Sequence, residues 1–279
     1  LGLIQSLTDN HYRYLNLRCL YEHRSCQEHV WHFHSKGIPV PEVLAISEDG
    51  MTYLQEDLGD VLLSDLVAKA GKDGGVLPDS SLERLLCRTM SMLPKIQFEG
   101  ADGLDFSVCY PQPSFDRRMI LFDLNYFKYC FLNGVGIEFD ENVLEDEFCR
   151  MTALLLAENE DTFMYRDFQA RNVMICGGEP CFIDFQGGRK GPIYYDVASF
   201  VGQARACYTP DVVEKMIDAY LASLETYKKV DRTDFVARLS LFRVFRLLQN
   251  LGAYGYRGLF ERKKAFVEVI PSAVEQLKE

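Results

Sequence analysis

The stretch FMYRDFQARNVMICGGEPCFIDFQGG, residues 163–188, determines how the rest of the chain is interpreted. Its apolar runs VMIC and CFIDF are joined by a Gly-Gly pair, a pattern that predicts a β-hairpin. Asp167 and Asn172 lie five residues apart on the loop that enters the first strand, and Asp184 ends the second strand. The spacing therefore predicts that two carboxylates and one amide come together around one hairpin.

Such a set of side chains suits phosphoryl transfer from a nucleotide. The Mg²⁺ that accompanies a triphosphate prefers oxygen ligands, which Asn172 and Asp184 can supply. Asp167 can orient and deprotonate an attacking hydroxyl, a role typically worth about 10²–10⁴ in rate. The alternative is a hairpin whose Asp and Asn only cap turns. The combination of Asp-x4-Asn, a Gly-Gly turn and Ile-Asp-Phe favours the catalytic interpretation.

Outside this stretch the chain divides into a strand-rich front and a helical body. Strand patterns cover 11–20, 38–47 and 51–58, and a capping-box pattern predicts a helix at about 26–36. Apolar residues then recur at helical spacing. Helices are expected within 62–67 and 82–93 and over 114–133, 141–159, 194–207, 210–226, 232–252 and 260–278. The expected fold is α+β with a boundary near Gly59.

Composition narrows the function classes. The chain has 279 residues, 48% of them hydrophobic, and a net charge of −11 from 30 basic and 41 acidic residues. These values exclude a disordered chain, and no apolar run approaches the about 20 residues of a membrane helix. The acidic balance argues against nucleic acid as a partner. Nine irregularly spaced cysteines indicate free thiols in a reducing, cytoplasmic compartment.

The sequence contains two pairs of potential metal ligands or thiols outside this motif. His29 and His32 are one helical turn apart, so a zinc site is conceivable, but solvated or capping histidines are the favoured interpretation. Cys176 and Cys181 flank the Gly-Gly turn, and a disulfide or metal role for them is the less favoured alternative to free thiols.

The motifs resemble those of a known family. YRDFQARN (165–172) with FIDFQ (182–186) is similar to the catalytic and metal motifs of the aminoglycoside phosphotransferase and choline kinase superfamily. GPIYYDVASFV (191–201) matches the segment that follows. GIPVPEVL (37–44) and YLQEDLGD (53–60) resemble the helix-to-strand link and the interlobe hinge. The resemblance extends from about residue 11 to the end of the chain.

The resemblance implies a bilobal, protein-kinase-like fold that uses ATP and Mg²⁺. A small strand-rich N-lobe over 1–58 would bind the nucleotide, and a larger, mostly helical C-lobe over 59–279 would carry the catalytic hairpin and the substrate site. By resemblance, Asp167 is the catalytic base, Asn172 and Asp184 bind the metal, and Asp196 braces the catalytic loop. The resemblance also assigns adenine binding to the backbone of the hinge residues Gln55, Glu56, Asp57 and Leu58.

The chain departs from the family pattern at several positions. Tyr165 stands where the family usually has His, and we expect it to pack rather than react. No Lys precedes Lys36 and the front contains no Gly-rich loop, so the N-lobe is incomplete against the pattern. Glu28 is either the helix Glu of the nucleotide site or a capping-box residue, and the two interpretations carry equal weight.

The sequences of these motifs are most similar to those of bacterial kinases that phosphorylate the anomeric hydroxyl of N-acetylmuramate and N-acetylglucosamine. The segment 258–277 also resembles chains in which a second, C-terminal domain follows, which implies a fused domain outside this chain. Each candidate substrate residue in the helical body could also be an ordinary surface or interhelix polar group, and singly that is the favoured interpretation. The candidates are Asp123, Tyr126, Arg205, Arg246 and Gln249.

Two classes of function remain open at this point. The first is an ATP- and Mg²⁺-dependent phosphotransferase acting on a small, sugar-like molecule, with an amino sugar as the best candidate. The intact Asp167, Asn172 and Asp184 set favours it. The second is a catalytically weak nucleotide or metabolite sensor that regulates an attached domain. A kinase of another small alcohol, aminoglycoside-like or choline-like, is a variant of the first.

Overall fold

The computed structural model describes residues 29–49, 52–72, 80–203, 206 and 208–278. The strand expected over 11–20 and the candidate residues Glu28 and Arg205 lie outside the described residues. The helices are α1 (29–35), α2 (Leu63–Lys72), α3 (Ser80–Phe98), α4 (Arg117–Phe127), α5 (Asn133–Val135), α6 (Glu141–Ala157), α7 (Tyr194–Val201), α8 (Pro210–Leu224), α9 (Arg232–Tyr254), α10 (Lys264–Val267) and α11 (Ile270–Glu275). The strands are β1 (Val43–Ile46), β2 (Tyr53–Gln55), β3 (Thr162–Met164), β4 (Val173–Cys176), β5 (Glu179–Phe182) and β6 (Arg189–Gly191).

The described part of the front consists of helix α1 and an antiparallel hairpin. Strand β1 pairs with β2 through Ile46 opposite Tyr53, which agrees with the hairpin predicted from the turn near residue 49. Phe33 of α1 is buried and packs edge-on against Phe163 of β3, with ring centroids 4.9 Å apart. Helix α1 is thereby attached to the strand that leads into the catalytic motif.

The hairpin predicted at the centre of the motif is present as β4 and β5, with Val173 opposite Phe182. The chain around Val61, which follows the hinge, and the chain around Pro39, which precedes β1, each form a backbone hydrogen bond with this hairpin. The N–H of Ile175 donates to the carbonyl of Val61 at 2.9 Å, and the N–H of Phe182 donates to that of Pro39 at 2.8 Å. The hairpin therefore joins the front to the helical body.

A second pairing, between β3 and β6, was not expected from the sequence. Thr162 lies opposite Gly191 and Met164 lies opposite Arg189. Strands of three residues are too short to show an alternating pattern, which is why sequence periodicity missed them. This pairing brings together the two ends of the 163–188 stretch.

The helical body is built on three contacts: α3 packs against α8, and α9 packs against both α4 and α7. Every residue of α7 is buried. Capping residues set the start of several helices. Asp116 accepts from the N–H of Met119 at the start of α4, and Asp231 accepts from the N–H groups of Thr233 and Asp234 at the start of α9.

Three of the predicted helices differ from the structure in extent. The expected helix over 194–207 ends at Val201, because Gly202 follows. The expected helix over 260–278 is two short helices, and Pro271 lies at the start of the second, where its fixed φ is tolerated. The expected helix over 114–133 is α4, a π-helical segment (Lys128–Leu132) and α5, which ends at Gly136 with a φ of +73°.

Within the described part of the chain, no helix is both long enough and apolar enough to cross a bilayer.

Candidate active site

The loop over residues 165–172, the predicted catalytic loop, is held by Asp196 in the first turn of α7. The backbone N–H groups of Tyr165 and Arg166 donate to its two carboxylate oxygens at 2.7 and 2.9 Å. Burial raises the pKa of Asp196 to about 7, while the two N–H donors act in the opposite direction. Arg166 has a φ of +74°, a left-handed conformation that this pair of bonds supports.

Tyr165 occupies the position where the family usually has His. Its hydroxyl donates to the carbonyl of Ile183, and its ring packs edge-on against Phe168 and Phe185 at 5.4 and 6.1 Å. Burial raises the pKa of the phenol well above its ordinary value. The residue therefore packs, as expected, and it also connects the catalytic loop to the strand end that precedes Asp184.

Asp167 and Asn172 are placed together by the loop itself. The Nδ2 group of Asn172 donates to the backbone carbonyl of Asp167 at 2.8 Å. The backbone carbonyl of Asn172 accepts from the N–H of Ile183, which directly precedes Asp184, at 3.1 Å. Asn172 is buried, whereas the side chain of Asp167 is 47% exposed and faces solvent. The three motif residues thus lie at one end of the hairpin, with the side chain of Asp167 accessible to solvent.

Asp184 lies on a sharp turn beyond β5. Its φ is +66°, its side chain is exposed, and its Oδ1 accepts from the Nε2 group of Gln186 at 2.6 Å. A non-glycine residue in this conformation is uncommon and is often found at functional sites. Because the Nδ2 group of Asn172 is engaged, its Oδ1 atom is the end that can face a cation. An amide oxygen and an exposed carboxylate fit a hard cation such as Mg²⁺.

The hinge residues lie where β2 ends and the chain turns toward β4. The N–H of Glu56 donates to the carbonyl of Glu42 at 2.8 Å, which extends the β1–β2 pairing. The carbonyl of Leu58 accepts from the thiol of Cys176 at 3.4 Å, and Oδ1 of Asp57 accepts from the N–H of Gly59 at 2.9 Å. The contact between Leu58 and Cys176 attaches the hinge, which begins at Gln55 at the end of β2, to the C-terminal end of β4.

Three of the candidate substrate residues are joined in one hydrogen-bonded cluster. The Nε2 group of Gln249 donates to Oδ2 of Asp123 at 2.8 Å, and Arg246 donates to Oε1 of Gln249. Asp123 also faces the guanidinium of Arg166 at 3.6 Å. Burial raises the pKa of Asp123, and the positive charges of Arg166 and Arg246 oppose that shift. The cluster therefore links helices α4 and α9 to the catalytic loop.

Arg246 is a buried member of this cluster with several partners. It donates to the hydroxyl of Tyr195 at 2.8 Å and to Ser199 at 3.1 Å, and its guanidinium lies over the Tyr195 ring at 4.9 Å. The Tyr195 hydroxyl in turn donates to Gln249 at 2.9 Å. Arg166, Tyr195 and Ser199 were not singled out from the sequence. Their positions beside Asp167 and Asp196 were the only signal that could have identified them.

Tyr126 lies one turn after Asp123 on α4, outside this hydrogen-bonded cluster. Its ring is 6.0 Å from that of Tyr256, and burial raises the pKa of its hydroxyl to about 12. The structure therefore brings Asp123, Arg246 and Gln249 together and places Tyr126 one turn from Asp123 on α4.

The favoured interpretation of His29 as a solvated or capping residue is wrong. His29 is fully buried, packs edge-on against Phe163 at 5.5 Å, and lies 3.5 Å from the thiol of Cys109. Burial lowers its pKa to about 4, with the neighbouring His32 as a smaller cause. In the residues that the structure describes, no three His, Cys, Asp or Glu side chains form a metal-binding group, and the described cysteines, including Cys176 and Cys181, are free.

The structure thus places a loop braced by a buried Asp before a hairpin with Asn and Asp at its open end, which is the arrangement expected from the motifs. The chain belongs to the phosphotransferase enzyme family, whose family model matches residues 18–233. This confirms the family predicted from the motifs and, at the level of the family, the class of small-molecule kinases.

Two curated relatives carry the name N-acetylmuramate/N-acetylglucosamine kinase. The protein from Neisseria meningitidis serogroup B is 25% identical over 186 residues, which are 66% of this chain and 52% of that protein. The protein from Pseudomonas aeruginosa is 26% identical over 189 residues, which are 66% of this chain and 50% of that protein. The chain thus spans about half the length of the curated relatives it matches.

Solved structures establish the fold. The ethanolamine kinase of Plasmodium vivax superposes with a TM-score of 0.60 at 14% identity, covering 92% of this chain and 73% of that one. The choline kinase LicA of Streptococcus pneumoniae superposes with a TM-score of 0.59 at 12% identity, covering 94% of this chain and 82% of that one. The predicted protein-kinase-like fold, with a small strand-containing region and a larger helical region, is confirmed.

Proposed function

We propose that the protein is an ATP- and Mg²⁺-dependent phosphotransferase that acts on a hydroxyl of an amino sugar. The observation that carries the proposal is the bond from the Asn172 amide to the backbone of Asp167, at the end of the hairpin where Asp184 turns outward. The names of the two curated relatives support N-acetylmuramate or N-acetylglucosamine as the substrate.

The nucleotide would lie along β4, between a nucleotide-binding lobe over 1–58 and a C-lobe over 59–279. Its adenine would be held by the hinge backbone at 55–58, which the Leu58–Cys176 contact attaches to one end of β4. Asn172 directly precedes the other end. The four steps from Asn172 to Cys176 span about 13 Å, the scale of an extended nucleoside triphosphate.

Asn172 and Asp184 would hold the metal ion. When bound, Mg²⁺ neutralises charge on the phosphates and helps to align them. This chain contributes the fixed orientation of both ligands. The Asn172 amide is locked by its bond to Asp167, and the Asp184 carboxylate is held by Gln186 at 2.6 Å.

Asp167 would act as the general base. Its carboxylate is exposed, while Asp196 and Asn172 fix the backbone on either side of it. It would orient the acceptor hydroxyl and take its proton as the oxygen attacks the terminal phosphorus. The products are ADP and a sugar phosphate.

The sugar would bind between α4, α9 and the catalytic loop. Gln249 and Arg166 are half-buried and reachable, whereas Asp123 and Arg246 are buried and hold them in place. The aromatic face of Tyr126 borders the same region on α4. Arg and Gln side chains suit a neutral or anionic sugar better than a cationic alcohol such as choline or an aminoglycoside. Arg205, which is outside the described residues, stays a candidate.

The test is ADP release from MgATP with a panel of amino sugars, comparing the wild type with Asp167→Asn. We expect the variant to lose at least about 10²-fold in turnover. Asp218→Asn on α8, an exposed Asp paired with Arg232, provides a control with the same chemical change and should retain wild-type turnover. Equal turnover in wild type and Asp167→Asn would exclude Asp167 as the base.

The second candidate is a nucleotide or metabolite sensor. It predicts a rise in Tm with ATP but no ADP release with any sugar in the panel. The same assay therefore separates the two functions.

A further inference from the structure

Arg171 lies beside Asp167 at the open edge of the catalytic loop. One terminal nitrogen of its guanidinium is 4.0 Å from Oδ1 of Asp167. The side chains are 58% and 47% exposed, so the pair is loose and faces solvent. Arg171 belongs to the 3₁₀ turn Ala170–Asn172, whose last residue is the amide ligand proposed for the metal.

Two other arginines close to the loop are already paired with buried residues. Arg166 faces Asp123 at 3.6 Å, and Arg246 donates to Tyr195 at 2.8 Å. Withdrawing either from the cluster would leave buried polar groups unpaired, which is costly. Of these three arginines, only Arg171 has an exposed partner and can move without disturbing the fold.

The transferred phosphoryl group would lie within reach of Arg171. A general base lies about 2.6–3.2 Å from the oxygen whose proton it takes. That oxygen lies about 3–3.5 Å from the atom it attacks. The phosphorus is therefore within about 7 Å of the Asp167 carboxylate. A guanidinium 4.0 Å from the same carboxylate lies within that distance of it as well, and its 58% exposed side chain has room to rotate.

Charge favours that movement. In the transition state of phosphoryl transfer, negative charge is spread over the three equatorial oxygens. The planar fork of a guanidinium matches two such oxygens, and charge-assisted bonds of this kind are strong. An exposed ion pair at 4.0 Å is weak by comparison. Arg171 would therefore leave Asp167 for the phosphoryl group, and the carboxylate would be free to accept the proton.

We propose that Arg171 is a catalytic residue that binds the phosphoryl group during transfer, an inference that rests on the proposed function. In this step, the acceptor oxygen forms a bond to the γ-phosphorus. The bond from that phosphorus to the β–γ bridging oxygen breaks, and its electron pair leaves with ADP. The hydroxyl proton passes to Asp167, and Arg171 donates to two non-bridging oxygens throughout.

Three variants test the role by steady-state kinetics with MgATP and the amino sugar. Arg171→Gln removes the charge, and Arg171→Lys keeps the charge but not the fork. Arg150→Gln is the matched control, because Arg150 is 68% exposed and pairs with Glu147 three residues away at 2.5 Å. We expect Arg171→Gln to lower kcat by about 10²–10³-fold. Arg171→Lys should fall between Arg171→Gln and the wild type, and the control should match the wild type.

A binding measurement without turnover separates contact with the phosphoryl group from an effect through Asp167. MgADP is titrated by calorimetry with and without aluminium fluoride, which mimics the transferring group. Wild type and Arg150→Gln should bind MgADP more tightly when fluoride is present. Arg171→Gln should bind MgADP normally but lose that gain.

Two results would overturn the inference while leaving the proposed function intact. The first is a wild-type kcat in Arg171→Gln. The second is a lowered kcat in Arg171→Gln while that variant still binds MgADP more tightly in the presence of aluminium fluoride. Failure of the proposed function looks different, because the wild type would then release no more ADP than Asp167→Asn with any sugar. In that case the calorimetry decides. If aluminium fluoride tightens the binding of MgADP in the wild type but not in Arg171→Gln, the inference is supported. If it does not tighten the binding of MgADP in the wild type, the inference is overturned.

Discussion

The backbone N–H of Tyr165 lies 2.7 Å from Oδ2 of Asp196, and this bond joins the start of the catalytic loop to the first turn of α7. The carboxyl is fully buried, and burial raises its pKa to about 7. The unfolded chain offers the same group to water, where an Asp titrates at about 3.9. The stability of the protein is therefore linked to pH through this one side chain.

The direction in which stability changes with pH follows from the raised pKa of Asp196. Between about pH 4 and about pH 7 the folded state holds a proton that the unfolded state has lost. The stability contributed by this group is present below about pH 4 and is lost as the pH rises to about 7. We expect the difference in free energy of unfolding between wild type and Asp196→Asn to narrow across that range. Urea unfolding of both proteins at several pH values measures it, and a difference that does not change with pH would contradict the prediction.

His29 should show the opposite dependence. Burial lowers its pKa to about 4, whereas an unfolded His titrates at about 6.5. The folded state excludes a proton that the unfolded state binds, so the contribution is present above about pH 6.5 and is lost as the pH falls to about 4. The stability advantage of wild type over His29→Gln should widen from about pH 4 to about pH 6.5. The same urea series checks this, and a gap that narrows with rising pH would refute it.

The β3–β6 pairing should depend on the lack of a side chain at residue 188. A Cβ atom built on Gly188 would overlap the ring of Phe163, which is buried and packed against Phe33. Overpacking of this kind costs about 1–3 kcal/mol, so Gly188→Ala should lower the free energy of unfolding by about that amount. The neighbouring Gly187 has open space at its Cβ position, so Gly187→Ala is the matched control. Equal stability of the two variants in urea or thermal unfolding would show that the ring adjusts without cost.

Gln249 offers a test of the proposed sugar site. It is half-buried, and its two ends bind Asp123 and Tyr195. If its outward side also contacts the substrate, Gln249→Leu should raise the KM for the sugar about tenfold or more while the KM for MgATP stays unchanged. Ser240→Ala, on the exposed face of the same helix, is the control. A rise in both KM values would indicate a general disturbance of the loop instead.

The hairpin and most helix positions could be predicted from the sequence, because each depends on residues close together in the chain. The apolar runs and the Gly-Gly turn of the 163–188 stretch correspond to β4 and β5. The helix expected over 232–252 corresponds to α9, which begins after its capping residue Asp231. The residues of the candidate catalytic set were chosen from their spacing, and their roles stay proposals.

The sequence by itself determined the family and predicted the segment that would carry the chemistry. Tertiary structure alone decided which distant side chains meet there. Asp123 and Gln249 are 126 positions apart, and Asp196 is 31 positions from the Tyr165 amide that it binds. Local spacing carries no information about such contacts, because they depend on how whole helices pack. For the same reason only the structure could show that His29 is buried.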